Sequence, residues 1–377
     1  MRLAACTLFA VLAAAQEPAA EIKPLLDSAA ASHMKGDYEG SRQSLLKAWD
    51  LAQQTPATEP IRYDILKRLT SIRAAAGEFA DADNYLQMAI NWRENTNGRD
   101  DPKIADDLLV SFSLCRGMKN YDRAHFILQR VMALHRLTYG QDSVPIADDF
   151  SRTALVHMEQ KNLLGAENAL RTAILIRTKV AGPLDPSLVP DLDRLAGVQI
   201  ATRAYEKAET AFRQALVIRE TLYGKEDADL IASVDGLAYA LFGQKKFDEA
   251  EPLYQRLIGL WSKSVGLDHP MVAIALDKVG VFYSEQKKFD QANEAQSRAT
   301  AIRAHFLASG LSIAATAQSA QGHKDEALAM YKRALVVLDP PHEVYGDTVS
   351  IIEGIVKEME PPAPKPAPKK SPATKKK

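Results

Sequence analysis

One unit is written twice in residues 224–299, and that repetition limits the possible folds more than any local pattern does. The string GKEDADLIASVDGLAYALFGQKKFDEAEPLYQRLIGLW returns 42 residues later as GLDHPMVAIALDKVGVFYSEQKKFDQANEAQSRATAIR. Phe247 and Phe289 match, each in a QKKFD string, and Ala250 and Ala292 match three residues on. Within the unit the apolar spacing is helical. Val234, Leu237, Ala238 and Leu241 fall at i, i+3, i+4 and i+7. A glycine and polar residues come next, then a second stripe of Phe247, Ala250, Tyr254, Leu257 and Ile258. Two stripes joined by a polar turn predict a helical hairpin whose apolar faces meet.

Stepping from Phe247 by about one unit extends the register along the chain. The anchors are Tyr38, Phe79, Tyr121, Leu163, Tyr205, Phe247, Phe289 and, after a shorter step of 35, Lys324. Three residues beyond each stands a small residue: Ser41, Ala82, Ala124, Ala166, Ala208, Ala250, Ala292 and Ala327. Seven residues beyond stand Leu45, Leu86, Leu128, Leu170, Phe212, Tyr254, Gln296 and Tyr331. Close crossing of two helices needs one small contact residue and large neighbours to fill the adjacent hole.

An aromatic residue, then small at +3, large at +7 and small at +10, resembles the second helix of a tetratricopeptide repeat. The 42-residue spacing, the Tyr223-Gly224 and Val265-Gly266 turns and the Leu267–Pro270 string LDHP are similar to the kinesin-light-chain type of that family. The segments Leu192–Ala196 and Val234–Ala238 share the likeness, which runs over about residues 22–340. It implies an all-α fold, a right-handed superhelical solenoid of about eight helix-turn-helix repeats. It is specific for fold and weak for function.

The expected organisation is a secretory signal peptide at 1–15, the repeat array at 22–340, a C-terminal capping helix at 343–359 and a disordered basic tail at 361–377. Residues 1–15 have one arginine, an apolar run and an Ala13-Ala14-Ala15 cleavage pattern, which predicts export to a periplasmic or extracellular space. An uncleaved N-terminal anchor is the alternative. With the leader removed Cys115 is the remaining cysteine, on an inner stripe, so a buried inert thiol is expected. The first hairpin is expected over 22–35 and 37–54, and the last over 310–338. The three prolines of 181–190 suggest a hinge or bend there. Val349, Ile352 and Val356 form the stripe of the cap, which covers the exposed end of the array. Residues 361–377 carry six lysines and no acid, so residues 1–360 hold 41 basic and 48 acidic groups, a net of −7. A tail without a large apolar residue builds no core.

No catalytic, nucleotide or metal motif is present, and the eight histidines show no i, i+4 pair. No enzyme activity, cofactor, metal or small-molecule substrate is expected. His269 is expected to cap its turn. By the family resemblance the first helix of each hairpin lines the concave groove. Asp64, Asp106 and Asp148 occupy one first-helix position at 42-residue spacing, and Asp193, Asp235 and Asp277 a neighbouring one. The latter row falls where kinesin-light-chain repeats carry a groove asparagine. Tyr239 and Phe242 share the predicted face. The rows read either as a solvated acidic face or as a groove for a basic ligand, the chain's own tail among the candidates. The expected function is a non-enzymatic scaffold holding a peptide or partner helix. The alternatives are a cationic tail tethered to a nucleic acid, acidic lipid or wall polymer, and an accessory subunit of an enzyme complex. Oligomeric state is left open.

Overall fold

The computed structural model describes residues 20–54, 59–339 and 345–360. The expected leader at 1–15 and tail at 361–377 lie outside the described residues. The chain forms two compact units, Met1–Ile218 and Arg219–Lys377. Within the first unit, helices α1 (20–34), α2 (Tyr38–Ala52), α3 (Glu59–Ala75), α4 (Phe79–Asn97), α5 (Lys103–Gly117) and α6 (Tyr121–Tyr139) succeed one another. They continue with α7 (Val144–Glu159), α8 (Leu163–Ala181), α9 (Val189–Ala201) and most of α10 (Tyr205–Tyr223). The second unit contains α11 (Ile231–Gly243), α12 (Phe247–Val265), α13 (Pro270–Glu285), α14 (Phe289–Ala320), α15 (Lys324–Val337) and α16 (Gly346–Met359). Among the described residues there is no strand.

The register seen in the sequence has a direct structural meaning. Each of the eight anchors is the first residue of a helix: α2, α4, α6, α8, α10, α12, α14 and α15. The small residues three positions on are all buried. Ser41, the one hydroxyl among them, donates its Oγ–H to the Ala29 carbonyl at 2.7 Å, so the close crossing with α1 leaves no unpaired polar group. The residues at +7 are buried with one exception, Gln296, which is exposed. It lies over Gly280 of α13, where an added Cβ would meet Gln296 Cγ at 2.9 Å. Burial of the large +7 side chains stabilises each hairpin by about 1.5–3 kcal/mol per residue.

Two kinds of turn set the period. Inside each hairpin one residue takes left-handed backbone geometry: Gly36, Gly77, Lys119, Lys161, Arg203, Lys245, Lys287 and Gly322. Five of these eight are not glycine, with φ between 57° and 63°. That geometry costs an L-residue about 1–2 kcal/mol. Surrounding bonds hold it; beside Lys161, the Asn162 N–H reaches the His157 carbonyl at 2.8 Å. Between hairpins a glycine with positive φ ends the second helix, at Gly98, Gly140, Gly182, Gly224 and Gly266.

At the next equivalent position, 42 residues on, stands Ala308, which is fully buried. With no glycine to stop it, the helix continues, and α14 runs for 32 residues. The first helix of the last hairpin, expected to start separately at 310, is therefore the C-terminal half of α14. The step from Phe289 to Lys324 is seven residues short of 42. Seven residues make about two helical turns, so the loss of the loop preserves the apolar face.

The proline-rich stretch at 181–190 is not where the units divide. It is an ordered connection, with a 3-10 turn at Pro186–Leu188, Asp185 accepting the Ser187 N–H at 2.9 Å, and Leu188 fully buried. The same device recurs 42 residues later at Ala228–Leu230, capped by Asp227. His269 does the corresponding work before α13, its Nδ1 accepting the Met271 N–H at 3.2 Å.

Helix α16 starts at Gly346, and residues 343–344 of the expected 343–359 span lie outside the described residues. Ile352 is buried against α14 and α15, with Val349 and Val356 beside it. Tyr345 fixes the entry to this helix: its hydroxyl donates to Asp268 at 2.6 Å and its ring stacks on His305 at 4.1 Å.

Replacing a left-handed lysine by glycine removes backbone strain at the cost of a more flexible unfolded chain. Lys161→Gly is expected to stabilise the protein by about 0.5–1 kcal/mol, read from the denaturant midpoint. Loss of stability would show that the turn carries no strain.

Candidate functional site

The two aspartate rows lie on first helices, as their spacing implies, but their environments differ. Asp64 pairs with Arg68 at 2.8 Å, Asp148 with Arg177, Asp235 with Lys278 and Asp277 with both Arg303 nitrogens. Asp106 is exposed in the first turn of α5, and Asp193 is half-buried. At least four of the six therefore already have a cation of this chain, and the rows are not a bare anionic strip.

The rows are also not the deepest carboxylates. One residue beyond Asp106 and Asp148, and two before Asp193, stand Asp107, Asp149 and Asp191, all essentially inaccessible to solvent. Each faces a partner 14 residues earlier on the preceding second helix. Arg93 reaches Asp107 at 3.0 Å, His135 Nδ1 lies 2.7 Å from Asp149, and Arg177 Nε reaches Asp191 at 3.1 Å. In the second unit Ser233 continues the series with Arg219. The carboxylates also tie neighbouring first helices. Tyr63 and Lys67 of α3 donate to Asp107 at 2.8 and 2.6 Å, and Ser151 of α7 donates to Asp191 at 2.8 Å. Burial and the Asp107 carboxylate hold the Tyr63 phenol proton well beyond the usual tyrosine range. Burial pushes the Asp149 carboxyl up, opposed by His135 and Arg152. The 42-residue recurrence of Asp107, Asp149 and Asp191 was visible in the sequence. What was missing was the partner column, because an arginine, a histidine and another arginine do not read as one motif.

A second series joins three of the second helices, α6, α8 and α12, to the next first helix, 32 residues on. The His125 and His157 rings meet at 4.6 Å, Gln199 Nε2 donates to Glu167 at 3.3 Å, and the Tyr283 hydroxyl donates to Glu251 at 2.8 Å. The histidines that show no helical pair in sequence are thus paired across helices α6 and α7. His157 packs against Gly165, where an added Cβ would meet its ring at 2.9 Å. Burial, and then His125, hold its pKa below the ordinary 6.5. Cys115 is buried, and burial and the nearby Asp83 push its thiol up, away from the reactive thiolate. Among the described residues no group of three or more His, Cys, Asp or Glu is placed to hold a metal.

The first helices of the second unit expose several large apolar side chains. Tyr239 of α11 is 45% exposed, and Ile274 and Val281 of α13 are 43% and 52% exposed. They stand one helical turn or so from Asp235, Asp277 and Lys278 on the same faces. Phe242 is turned inward, half-buried against the rings of Phe247 and Phe282 at 6.2 and 6.0 Å, so it supports Tyr239 rather than standing free. Among the described residues no helix is long and apolar enough to cross a membrane.

Comparison with known proteins agrees with this architecture. The tetratricopeptide repeat profile matches residues 230–305. The apo form of RapI is similar in structure, with a TM-score of 0.54 at 13% identity over 84% of each chain. A signal transduction ATPase with a tetratricopeptide repeat sensor, from Pyrococcus horikoshii, gives 0.53 at 12% identity, covering 73% of this chain and 41% of that one. BtubC (BKLC) from P. vanneervenii gives 0.48 at 16% identity, over 63% of this chain and 91% of that one. No curated protein sequence matches significantly. Identities this low bear on fold alone. Residues 230–305 thus match the tetratricopeptide repeat family, and the described residues have the fold of an array of helical hairpins.

Removing one member of a buried ion pair leaves the other charge uncompensated. Asp191→Ala is expected to cost about 3–5 kcal/mol. Asp64→Ala, at an exposed pair, should cost no more than about 1 kcal/mol. Urea unfolding of the two variants checks the contrast. His157 sets a pH dependence. Its folded pKa lies below 6.5, so the stability it contributes is complete above pH 6.5 and is lost as pH falls through the lower folded value. Melting curves from pH 7.5 to 5 should show this slope, and His157→Gln should reduce it.

Proposed function

We propose that this protein is a non-enzymatic interaction scaffold that holds an extended peptide or a partner helix on the first-helix face of its second unit. The observation that carries this reading is the exposed apolar row of Tyr239, Ile274 and Val281, bordered by the Asp235–Lys278 and Asp277–Arg303 pairs. Exposed apolar residues on neighbouring rigid helices are what a partner's apolar anchors need, and polar pairs around them set orientation. Prebuilt helices also spare the complex much ordering entropy on this side. Because the aspartates already have cations, a basic partner would have to displace Lys278 and Arg303. The partner chemistry this surface favours is an apolar segment with mixed charge at its edges. Export of the scaffold, read from residues 1–15 alone, is part of the same proposal.

Affinity capture with the full chain and with a chain ending at 360, at low and high salt, tests this. The expected partner is shared by both, resists salt, and is lost in Tyr239→Glu and Val281→Glu. A partner that needs residues 361–377 and is lost in salt would move the function to the lysine-rich segment.

A further inference from the structure

The left-handed turn residues are of one chemical kind. The first two hairpins turn on Gly36 and Gly77, and the next five on Lys119, Lys161, Arg203, Lys245 and Lys287, each 42 residues from the last. Glycine takes this geometry without strain, so a cation is the costlier choice. The dipole of the preceding first helix favours a cation nearby, but the last helical turn serves that need as well, as Arg116 does in α5. All five cations are exposed. Among the described residues, Lys119, Lys161 and Arg203 have no ion-pair partner.

These three lie along one edge of the first unit. The hairpins α5–α6, α7–α8 and α9–α10 follow one another in phase, and side chains close to the turns join them. Arg116 Nε reaches Glu159 at 3.2 Å, and Gln199 Nε2 reaches Glu167 at 3.3 Å. The middle turn departs from the others at one place. The second residue is acidic in α2, α6, α10, α12, α14 and α15, Asp122 and Glu206 among them, and there it suits the positive end of the helix dipole. In α8 that residue is Leu164, which is 70% exposed. The chain therefore gives up a favourable charge three residues after Lys161 and holds a large apolar side chain in water.

A hydrated linear polyanion has a use for the cations and none for Leu164. An anionic bilayer has a use for both, since cations meet the headgroups and a leucine enters the boundary with the acyl chains. We propose that the hairpin-turn edge of the first unit docks on an anionic lipid surface, with Lys119, Lys161 and Arg203 on the headgroups and Leu164 in the acyl boundary. Asp122 and Glu206 flank the middle turn and oppose the attraction, so the contact is weak and reversible. The edge belongs to a different unit from the surface on α11 and α13, and it stands or falls independently of that surface.

The test is cosedimentation of the full chain with vesicles of equal parts phosphatidylglycerol and phosphatidylcholine, beside vesicles of phosphatidylcholine alone. Binding to the anionic vesicles only, weakened by salt, is expected. Glycine at the three turns relieves strain rather than adding it, so Lys119→Gly, Lys161→Gly and Arg203→Gly should keep the fold while each weakens binding about fivefold. Leu164→Ser, which changes no charge, should weaken binding about five- to tenfold. Asp122→Asn should strengthen it. The lysines of 361–377 are common to all these variants, so binding indifferent to the three glycines would place the attraction there and overturn the proposal. Equal binding to phosphatidylcholine alone would overturn it too. Binding that needs the cations but not Leu164, with inorganic polyphosphate competing equally well against parent and Leu164→Ser, would identify a linear polyanion instead of a bilayer.

Discussion

The interaction on which the first unit depends is a carboxylate with no access to water. Asp107 and Asp191 sit where three helices meet and Asp149 between two, and each must be compensated within the protein. That requirement couples elements that apolar packing alone would leave free to slide. A leucine stripe tolerates a shifted register at modest cost, whereas a buried carboxylate is satisfied only where its arginine or histidine arrives. Asp191 shows the coupling most clearly, since it receives Ser151 from α7, Arg177 from α8 and Arg194 from α9. A repeat array has only nearest-neighbour contacts, so such junctions decide how firmly one hairpin holds the next.

The second constraint is where helices stop. Left-handed residues inside each hairpin and glycines between hairpins mark the period, and the length of α14 is the consequence of one missing mark. At Ala308 nothing favours termination, and buried contacts on both halves of α14 reward continuation. The cap α16 then closes the apolar face of α14 and α15 by a side-chain bond across 77 residues, from Tyr345 to Asp268.

The candidate surfaces were legible to different degrees. Spacing placed Asp235, Asp277 and Tyr239 on first helices, because a face is set by the 3.6-residue turn. It did not disclose that Lys278 and Arg303 neutralise those aspartates, since these partners come from a neighbouring repeat and a neighbouring helix. Phe242 has the same spacing signal as Tyr239, yet it turns toward Phe247 and Phe282. One helical position differs from the next by about 100°, and at the edge of a face only the neighbouring side chains decide between core and solvent. His125 and His157 were similarly invisible as a pair, being 32 residues apart on different helices.

The class of fold, the number and phase of the hairpins, and the first residue of every second helix were all determined at the level of sequence. Each is a product of local periodicity and of a small residue recurring beside large ones. Tertiary structure decided what depends on distance between repeats: which aspartates are buried and which cations answer them. The physical reason is that periodicity encodes the direction of a side chain along its own helix. The partner it meets is set by packing against another.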